Sequence, residues 1–167
     1  QENLKIRAGY GYTVIDPAVG YLVCWDTGAG KMTEPDALLS YILQEIGAVK
    51  DLKGKKVLVT AGPTQEPIDP VRYITNHSSG KMGYAIAKAA MLRGAEVTLV
   101  SGPVAIKPPA FVKLIPVVTA QDMYEAVTSI SDSQHIIIKA AAVADYCPAT
   151  VSGDKIKKQD DQMSIPL

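Results

Sequence analysis

The residues best suited to chemistry gather in one run, Thr60 to Gly83 (TAGPTQEPIDPVRYITNHSSGKMG). Its glycines, prolines and serines suit a shaped loop, and Arg72 and Lys81 supply positive charge. Ser78 or Ser79 is placed to cap a following helix, leaving that helix's first N–H groups for an anion. Gly80 and Gly83 let a phosphate or a neighbouring strand come close to the backbone. His77 has no partner at metal-ligand spacing, so it reads as a polar contact, and no metal site is expected. Taken alone, Ser79-Gly80 fits an ordinary capped helix equally well. An ordered connection of this length and composition is costly unless it binds something.

Two further clusters lie downstream, Ala140-Ala141-Ala142-Val143-Ala144-Asp145-Tyr146 and Asp154-Lys155-Ile156-Lys157-Lys158. Upstream, Cys24 precedes Gly28-x-Gly30-Lys31-Met32 and Glu34-Pro35. Each has a plain explanation when taken singly. An alanine run packs helix against sheet, a lysine cluster is a solvated patch, Asp145 serves a turn, and a free cysteine is often a small buried hydrophobe. Cys147 has only the plain reading, and Trp25 is expected to pack near the upstream loop.

The elements that must position these residues alternate in type. Val57–Thr60 forms a strand, and a helix runs from about Ser79 to Arg93, stopped by Gly94, with Met82, Ile86, Ala89 and Ala90 on one face. Val97–Val100 and Val112–Val118 form two more strands around a proline-rich loop. Thr119 caps a helix that carries Met123, Ala126, Val127 and Ile130. Ile136–Ile138 is a short apolar strand of the kind a parallel sheet buries on both faces. This order implies a Rossmann-like, doubly wound parallel α/β sheet over residues 57–167. Residues 47–56 read as a polar linker. Residues 1–46 read as the C-terminal piece of a flavodoxin-like α/β domain: an extended run Tyr12–Ile15, a turn at Asp16-Pro17, a strand Tyr21–Cys24, a glycine-rich loop Thr27–Met32, and a helix bearing Leu38, Leu39, Ile42 and Ile46. That piece is too small to bury a core alone. It opens without a methionine and looks like a cut.

Composition narrows the function further. The 167 residues carry 17 Lys plus Arg against 17 Asp plus Glu, so no net field draws the chain to nucleic acid or to an anionic membrane. Apolar content of 47% and charged content of 20% suit a folded soluble chain. Two cysteines give no disulfide framework, and a cytoplasmic setting is expected. No apolar run reaches the ~20 residues that span a bilayer.

The run 60–83 resembles the signature of the phosphopantothenate–cysteine ligase domain found in bifunctional coenzyme A biosynthesis proteins, and the two downstream clusters match that family's later motifs in order. The resemblance implies a reaction in two steps. The carboxylate of 4′-phosphopantothenate attacks the α-phosphate of CTP, held with Mg²⁺, giving an acyl-cytidylate and releasing pyrophosphate, and the amine of cysteine then displaces CMP to form the amide. It further implies that Ala141, Ala142 and Asp145 recognise the cytidine, that Lys155 contacts the nucleotide, and that Ser78, Ser79 and Gly80 meet phosphates. Arg72 would bind substrate, and Asn76 would hold the acyl-cytidylate.

Residues 1–46 resemble the C-terminal part of the FMN-dependent phosphopantothenoylcysteine decarboxylase. There Cys24 would be the proton donor, and Gly28, Gly30, Lys31 and Met32 would close over substrate. FMN would be held mainly by an upstream part, the native protein would be longer, and a homo-oligomer is implied. The competing readings are an NAD(P)-dependent oxidoreductase of the short-chain type and a non-catalytic nucleotide-binding module. Against the first stand the missing G-x-G-x-x-G, the absence of an acid after Val97–Val100, and the position of Tyr84 and Lys88 on the first helix.

Overall fold

Residues 2–23, 25–157 and 164–167 are described by the computed structural model. The chain divides into two units, 1–43 and 44–167.

In the first unit, α1 (Glu2–Gly9) precedes a hairpin of β1 (Ala18–Tyr21) and β2 (Thr27–Lys31), and α2 (Pro35–Ile46) runs past its boundary. Several expectations change here. Tyr12–Ile15 takes no regular structure, the strand expected over Tyr21–Cys24 lies instead over Ala18–Tyr21 with Leu22 and Val23 outside it, and the glycine-rich segment is itself a strand, paired antiparallel with β1. The spacing of Gly28 and Gly30 explains this. In a strand, alternate residues share a face, and a Cβ on either glycine would lie 3.3–3.4 Å from the Leu22 side chain. Trp25 sits at the hairpin turn with φ 66°, its ring edge-on to Tyr21 at 6.2 Å. It is 83% exposed rather than packed away.

The second unit is built on β3 (Lys56–Ala61), buried at every position after Lys56. Among the described residues, four strands form its parallel sheet in the order β7 (Lys113–Pro116), β6 (Glu96–Ser101), β3, β8 (Ile136–Lys139). The chain thus steps outward from β3 to β6 and β7, then returns past β3 to lay down β8. That reversal is the topological switch of a doubly wound sheet. Ile136–Ile138 was expected to be buried on both faces. As an edge strand it leaves Ile136 and Ile137 37% and 41% exposed.

Helix α3 (Lys81–Leu92) starts later than the serines suggested. Its N-cap is Gly80 in the left-handed region (φ 71°), with no side-chain cap. Ser78 Oγ accepts only the Gly80 N–H, at 3.3 Å. The expected face also rotates: Gly83, Tyr84, Ala87, Ala90 and Met91 are buried, while Met82 is 67% exposed and Ala89 is exposed. Gly83 decides this, because a Cβ there would sit 2.5 Å from Ala61 Cβ, and only glycine lets helix and strand approach so closely. The helix ends as expected, with Gly94 and Ala95 N–H bonding back to Met91 and Ala90 carbonyls.

Helix α4 (Ala120–Ser131) begins on a capping box of Thr119 and Asp122 and buries Met123, with Ala126, Val127 and Ile130 packed against Leu58 and Val100. The stretch read as a linker is fastened to the end of α3. Leu52 N–H bonds to the Arg93 carbonyl, Asp51 pairs with Arg93, and Leu52 packs against the main core.

Candidate functional site

The loops after β3 and β8 meet where these strands end, on the carboxyl side of the switch point. Their contact is a set of cross-bonds. Thr60, last but one in β3, accepts the Ala140 and Ala141 N–H groups on its Oγ1 at 3.2 and 3.3 Å. Ala142 N–H donates to the Gly62 carbonyl at 2.8 Å, and Thr64 N–H donates to the Ala142 carbonyl at 3.3 Å. Thr64, fully buried, accepts the Ala144 N–H on its Oγ1 at 2.9 Å. Its own carbonyl takes the Thr75 hydroxyl at 2.7 Å.

Asn76 completes the bridge by donating to the carbonyls of Val143 at 3.0 Å and Ala142 at 3.4 Å. Two acceptors facing the amide fix its orientation, because only the NH₂ end has hydrogens to give. Its Oδ1 therefore turns the other way.

The middle of the first loop is a small hairpin, β4 (Gln65–Pro67) and β5 (Tyr73–Thr75). Buried Glu66 accepts the Ala120 N–H at 2.9 Å, which places a carboxylate at the positive end of α4. Asp69, only 3% exposed, closes the hairpin turn. Its Oδ1 takes the N–H groups of Val71 and Arg72 at 2.9 and 2.8 Å. Its Oδ2 takes Arg72 Nε at 3.0 Å and the Ile156 N–H at 3.1 Å. The Arg72 guanidinium beside it, helped by these backbone N–H groups, holds the Asp69 carboxyl well below the usual carboxylate range, against the opposing effect of burial.

Gly102 and Val104 shape the other side. A Cβ on Gly102 would fall 1.7 Å from the Pro63 carbonyl oxygen, so the loop crosses directly over that glycine. Val104 Cγ1 would lie 2.9 Å from a Cβ on Gly80. On the side a Cβ would take, Gly80 is therefore packed against a valine, and its N–H is given to Ser78 Oγ. Two cavities flank the site. One, of ≈ 410 Å³, is bounded by Thr60, Lys139, Ala141, Val143 and α4. The other, of ≈ 530 Å³, lies over the ends of β6 and β7 against Tyr84, Ser101 and Val104.

A family model described as the DNA/pantothenate metabolism flavoprotein C-terminal domain matches residues 52–167. The chain belongs to this family. Over its full length it is 52% identical to the coenzyme A biosynthesis bifunctional protein CoaBC of Vibrio vulnificus (strain YJ016), covering 42% of that protein. It is 51% identical to the protein of that name from Escherichia coli (strain K12), again covering 42%. The chain therefore spans less than half the length of these curated relatives. A crystal structure of the C-terminal domain of a coenzyme A biosynthesis bifunctional protein CoaBC is 59% identical, with a TM-score of 0.58 over 60% of this chain and 51% of that one.

Within this flavoprotein-family domain, the residues singled out from sequence fall in three places. Asn76, Ala141 and Ala142 come together across the switch point, with Asp145 exposed at the end of the same loop. The amide edge expected of the alanines is taken up internally, since the Ala141 N–H goes to Thr60 in β3 and the Ala142 N–H to Gly62 in the first loop. The Ala142 carbonyl already takes Thr64 N–H and the Asn76 amide, so the acceptor on offer is the Ala141 carbonyl. Arg72 is not an open cation. It is held by Asp69 and donates to the Ile156 carbonyl at 2.7 Å, which brings the segment carrying Lys155 onto the first loop. Ser78 and Ser79 lie before α3, Ser79 exposed.

In the first unit, Gly28, Gly30 and Lys31 lie on β2, with Met32 just beyond it. Lys31 is paired with Glu34 at 2.8 Å, and the hydrogen bond between them raises the lysine and lowers the carboxyl. Cys24 and Lys158 lie outside the described residues. Cys147, expected to be a small buried hydrophobe, is instead an exposed free thiol. Tyr84, weighed as half of a Tyr-x-x-x-Lys pair, is buried and bonds to Ser101 Oγ at 3.1 Å.

Thr60, Thr64, Glu66 and Asp69 hold the site together, and sequence reading passed over all of them. Their signal was weak but present: short polar side chains just past an apolar strand must find partners if buried.

Proposed function

We propose that this chain carries the nucleotide-binding part of a phosphopantothenate–cysteine ligase, within a coenzyme A biosynthesis protein that also decarboxylates the product. The ligase uses CTP with Mg²⁺ to activate 4′-phosphopantothenate as an acyl-cytidylate, which cysteine converts to the amide. The observation that carries this reading is the cross-bonding of the two loops at the switch point, beside a cavity large enough for a pyrimidine nucleoside. Relatives named coenzyme A biosynthesis bifunctional proteins support it.

The assignment of roles follows the chemistry on offer. The Ala141 carbonyl accepts, so it suits the amino group of cytosine lying along the Ala141-Ala142 backbone, and Asp145 would accept a further donor of the cytidine. The phosphates would be met by Lys155 and by Ser78, Ser79 and Gly80 from the side of α3 that Val104 leaves open. Arg72 would act on substrate through the segment it anchors. Asn76 would hold the acyl-cytidylate, with Oδ1 the end offered to the N–H of the attacking amine. Among the described residues no three His, Cys, Asp or Glu side chains gather as a metal site, so Mg²⁺ would arrive with the triphosphate.

The decarboxylase half of the proposal concerns Cys24 as proton donor, with Gly28, Gly30, Lys31 and Met32 near substrate. FMN would supply the redox chemistry when bound. The described residues of the first unit bury no side chain, so they form no closed slot for a planar flavin, and no step through it is derived from them. A cytoplasmic homo-oligomer completes the reading. Among the described residues no helix is long and apolar enough to cross a membrane.

The test uses the intact protein with 4′-phosphopantothenate, CTP and Mg²⁺ but no cysteine. Release of about one pyrophosphate per site is expected, followed by turnover when cysteine is added. No pyrophosphate with CTP, or a thermal shift with NAD(P) in place of CTP, would overturn the ligase reading.

A further inference from the structure

Asp69 divides its two oxygens between two tasks. Oδ1 serves the hairpin turn through Val71 and Arg72 N–H. Oδ2 serves Arg72 Nε and the Ile156 N–H, while Arg72 Nη2 donates to the Ile156 carbonyl. Both backbone polar groups of Ile156 are thereby gripped by one ion pair, its Asp69 buried and its Arg72 42% exposed, between two exposed lysines, Lys155 and Lys157. Among the described residues, the other hydrogen bond to residues 153–157 is a local one, Ser152 Oγ to the Asp154 carbonyl at 2.7 Å, and Ser152 N–H in turn bonds to the Ile68 carbonyl at 3.0 Å.

We propose that Asp69 is a positioning residue that locks the Lys155 segment to the first loop, so that the lysine meets the nucleotide from a fixed backbone. This rests on the CTP reading for what Lys155 touches, but not for the lock itself. A free lysine side chain loses much rotameric entropy on binding, and a mobile backbone beneath it would add to that cost. Fixing the backbone beforehand removes the second part. Two roles for Asp69, making the turn and holding the strap, are separable by chemistry. In Asp69→Asn the remaining carbonyl oxygen still accepts the turn's N–H groups. The new NH₂ faces the Ile156 N–H and the guanidinium, donor against donor, and the strap is released.

The experiment compares the intact protein with Asp69→Asn, Ile156→Pro and Lys155→Ala. Ile156→Pro deletes the donated N–H while leaving Asp69 and Arg72 intact, in a half-buried position outside both cores. Trypsin cleavage after Lys157 is followed without nucleotide, and CTP binding is measured separately with Mg²⁺. Asp69→Asn and Ile156→Pro should each speed cleavage about tenfold and weaken CTP about tenfold, one charge-assisted contact's worth. Combined, they should do little more than either alone, because both open the same lock. Lys155→Ala should weaken CTP while leaving cleavage after Lys157 slow. Wild-type cleavage rates in both lock variants, with CTP still bound by the parent, would overturn the lock. A parent protein that fails to bind CTP would overturn the nucleotide reading and Lys155's part in it, while the cleavage rates would still decide whether Asp69 holds the strap.

Discussion

Thr64→Val offers a sharp test of how the site is held together, because two accounts of that residue give opposite signs. Thr64 is wholly buried, and valine has nearly its shape. If packing alone mattered, valine would be neutral or stabilising and Thr64→Ser, which loses a buried methyl, would cost about 0.8 kcal/mol. The structure says otherwise. Oγ1 of Thr64 is the acceptor for the Ala144 N–H at 2.9 Å, and valine leaves that amide without its partner. A stranded buried donor costs about 1–3 kcal/mol. Ala144 is only half-buried, so water can relieve part of this and the lower half of the range applies, about 1–2 kcal/mol. With a urea slope of about 1–3 kcal/mol/M, the unfolding midpoint should fall by roughly 0.5–1 M in Thr64→Val. Thr64→Ser should fall less. The loop from Ala140 to Asp145 should also loosen in the valine variant, so amide exchange at Ala144 should rise more than at core positions such as Leu58. A valine variant as stable as the parent, or a serine variant less stable than the valine one, would refute the account.

Four further outcomes follow. Asn76→Asp places a second oxygen against the carbonyls of Ala142 and Val143 and disturbs the end facing the amine. Amide formation should fall at least tenfold more than pyrophosphate release in single-turnover assays, and equal falls would refute a role specific to the second step. Thr119→Ala breaks the capping box of α4 and should cost about 1 kcal/mol in urea unfolding. Asp51→Asn removes an exposed pair with Arg93 and should leave the thermal midpoint unchanged. Asp69 has a carboxyl pKa depressed in the folded chain, so its contribution is present above the unfolded carboxylate value and is lost only as pH falls through the lower folded value. Slow cleavage after Lys157, read with an acid-tolerant lysine-directed protease, should therefore persist to pH 4.5; a lock that opens between pH 7 and 5 would contradict the assignment.

The order of strands and helices was readable because apolar runs and stop signals are local. Gly94 ending α3 and Thr119 opening α4 are cases where a residue's own backbone preference decides. What could not be read depended on distant partners. The buried face of α3 turned on Gly83 meeting Ala61, twenty-two residues back in the chain. The exposure of Ile136 and Ile137 depended on β8 lying at the sheet's edge, which an apolar run does not reveal. Glycines at 28 and 30 suggested a loop, although their spacing fits a strand face that accommodates Leu22. The site's motifs were visible as strings, but the cross-bonds of Thr60, Thr64 and Asp69 become visible only once the two loops are side by side.

The missing glycine fingerprint and these cross-bonds have one physical origin. A dinucleotide site uses the bare N–H groups of a tight glycine turn at the first helix, with the turn itself as scaffold. Here no glycine turn of that pattern is present, the Gly80 N–H goes to Ser78 Oγ, and Val104 packs against Gly80. A long first loop must take over, and a long loop is held only by partners outside itself. β8 supplies them, because the reversal in strand order brings its loop to the same edge. Thr64 and Asn76 join that loop to the first one, Glu66 ties the first loop to α4, and Asp69 carries the lysine segment. On the proposed reading, carbonyls and side chains meet the base, and the start of α3 is left to the phosphates. Such a surface suits a base with an exocyclic amine and a triphosphate met by lysine side chains on a fixed backbone.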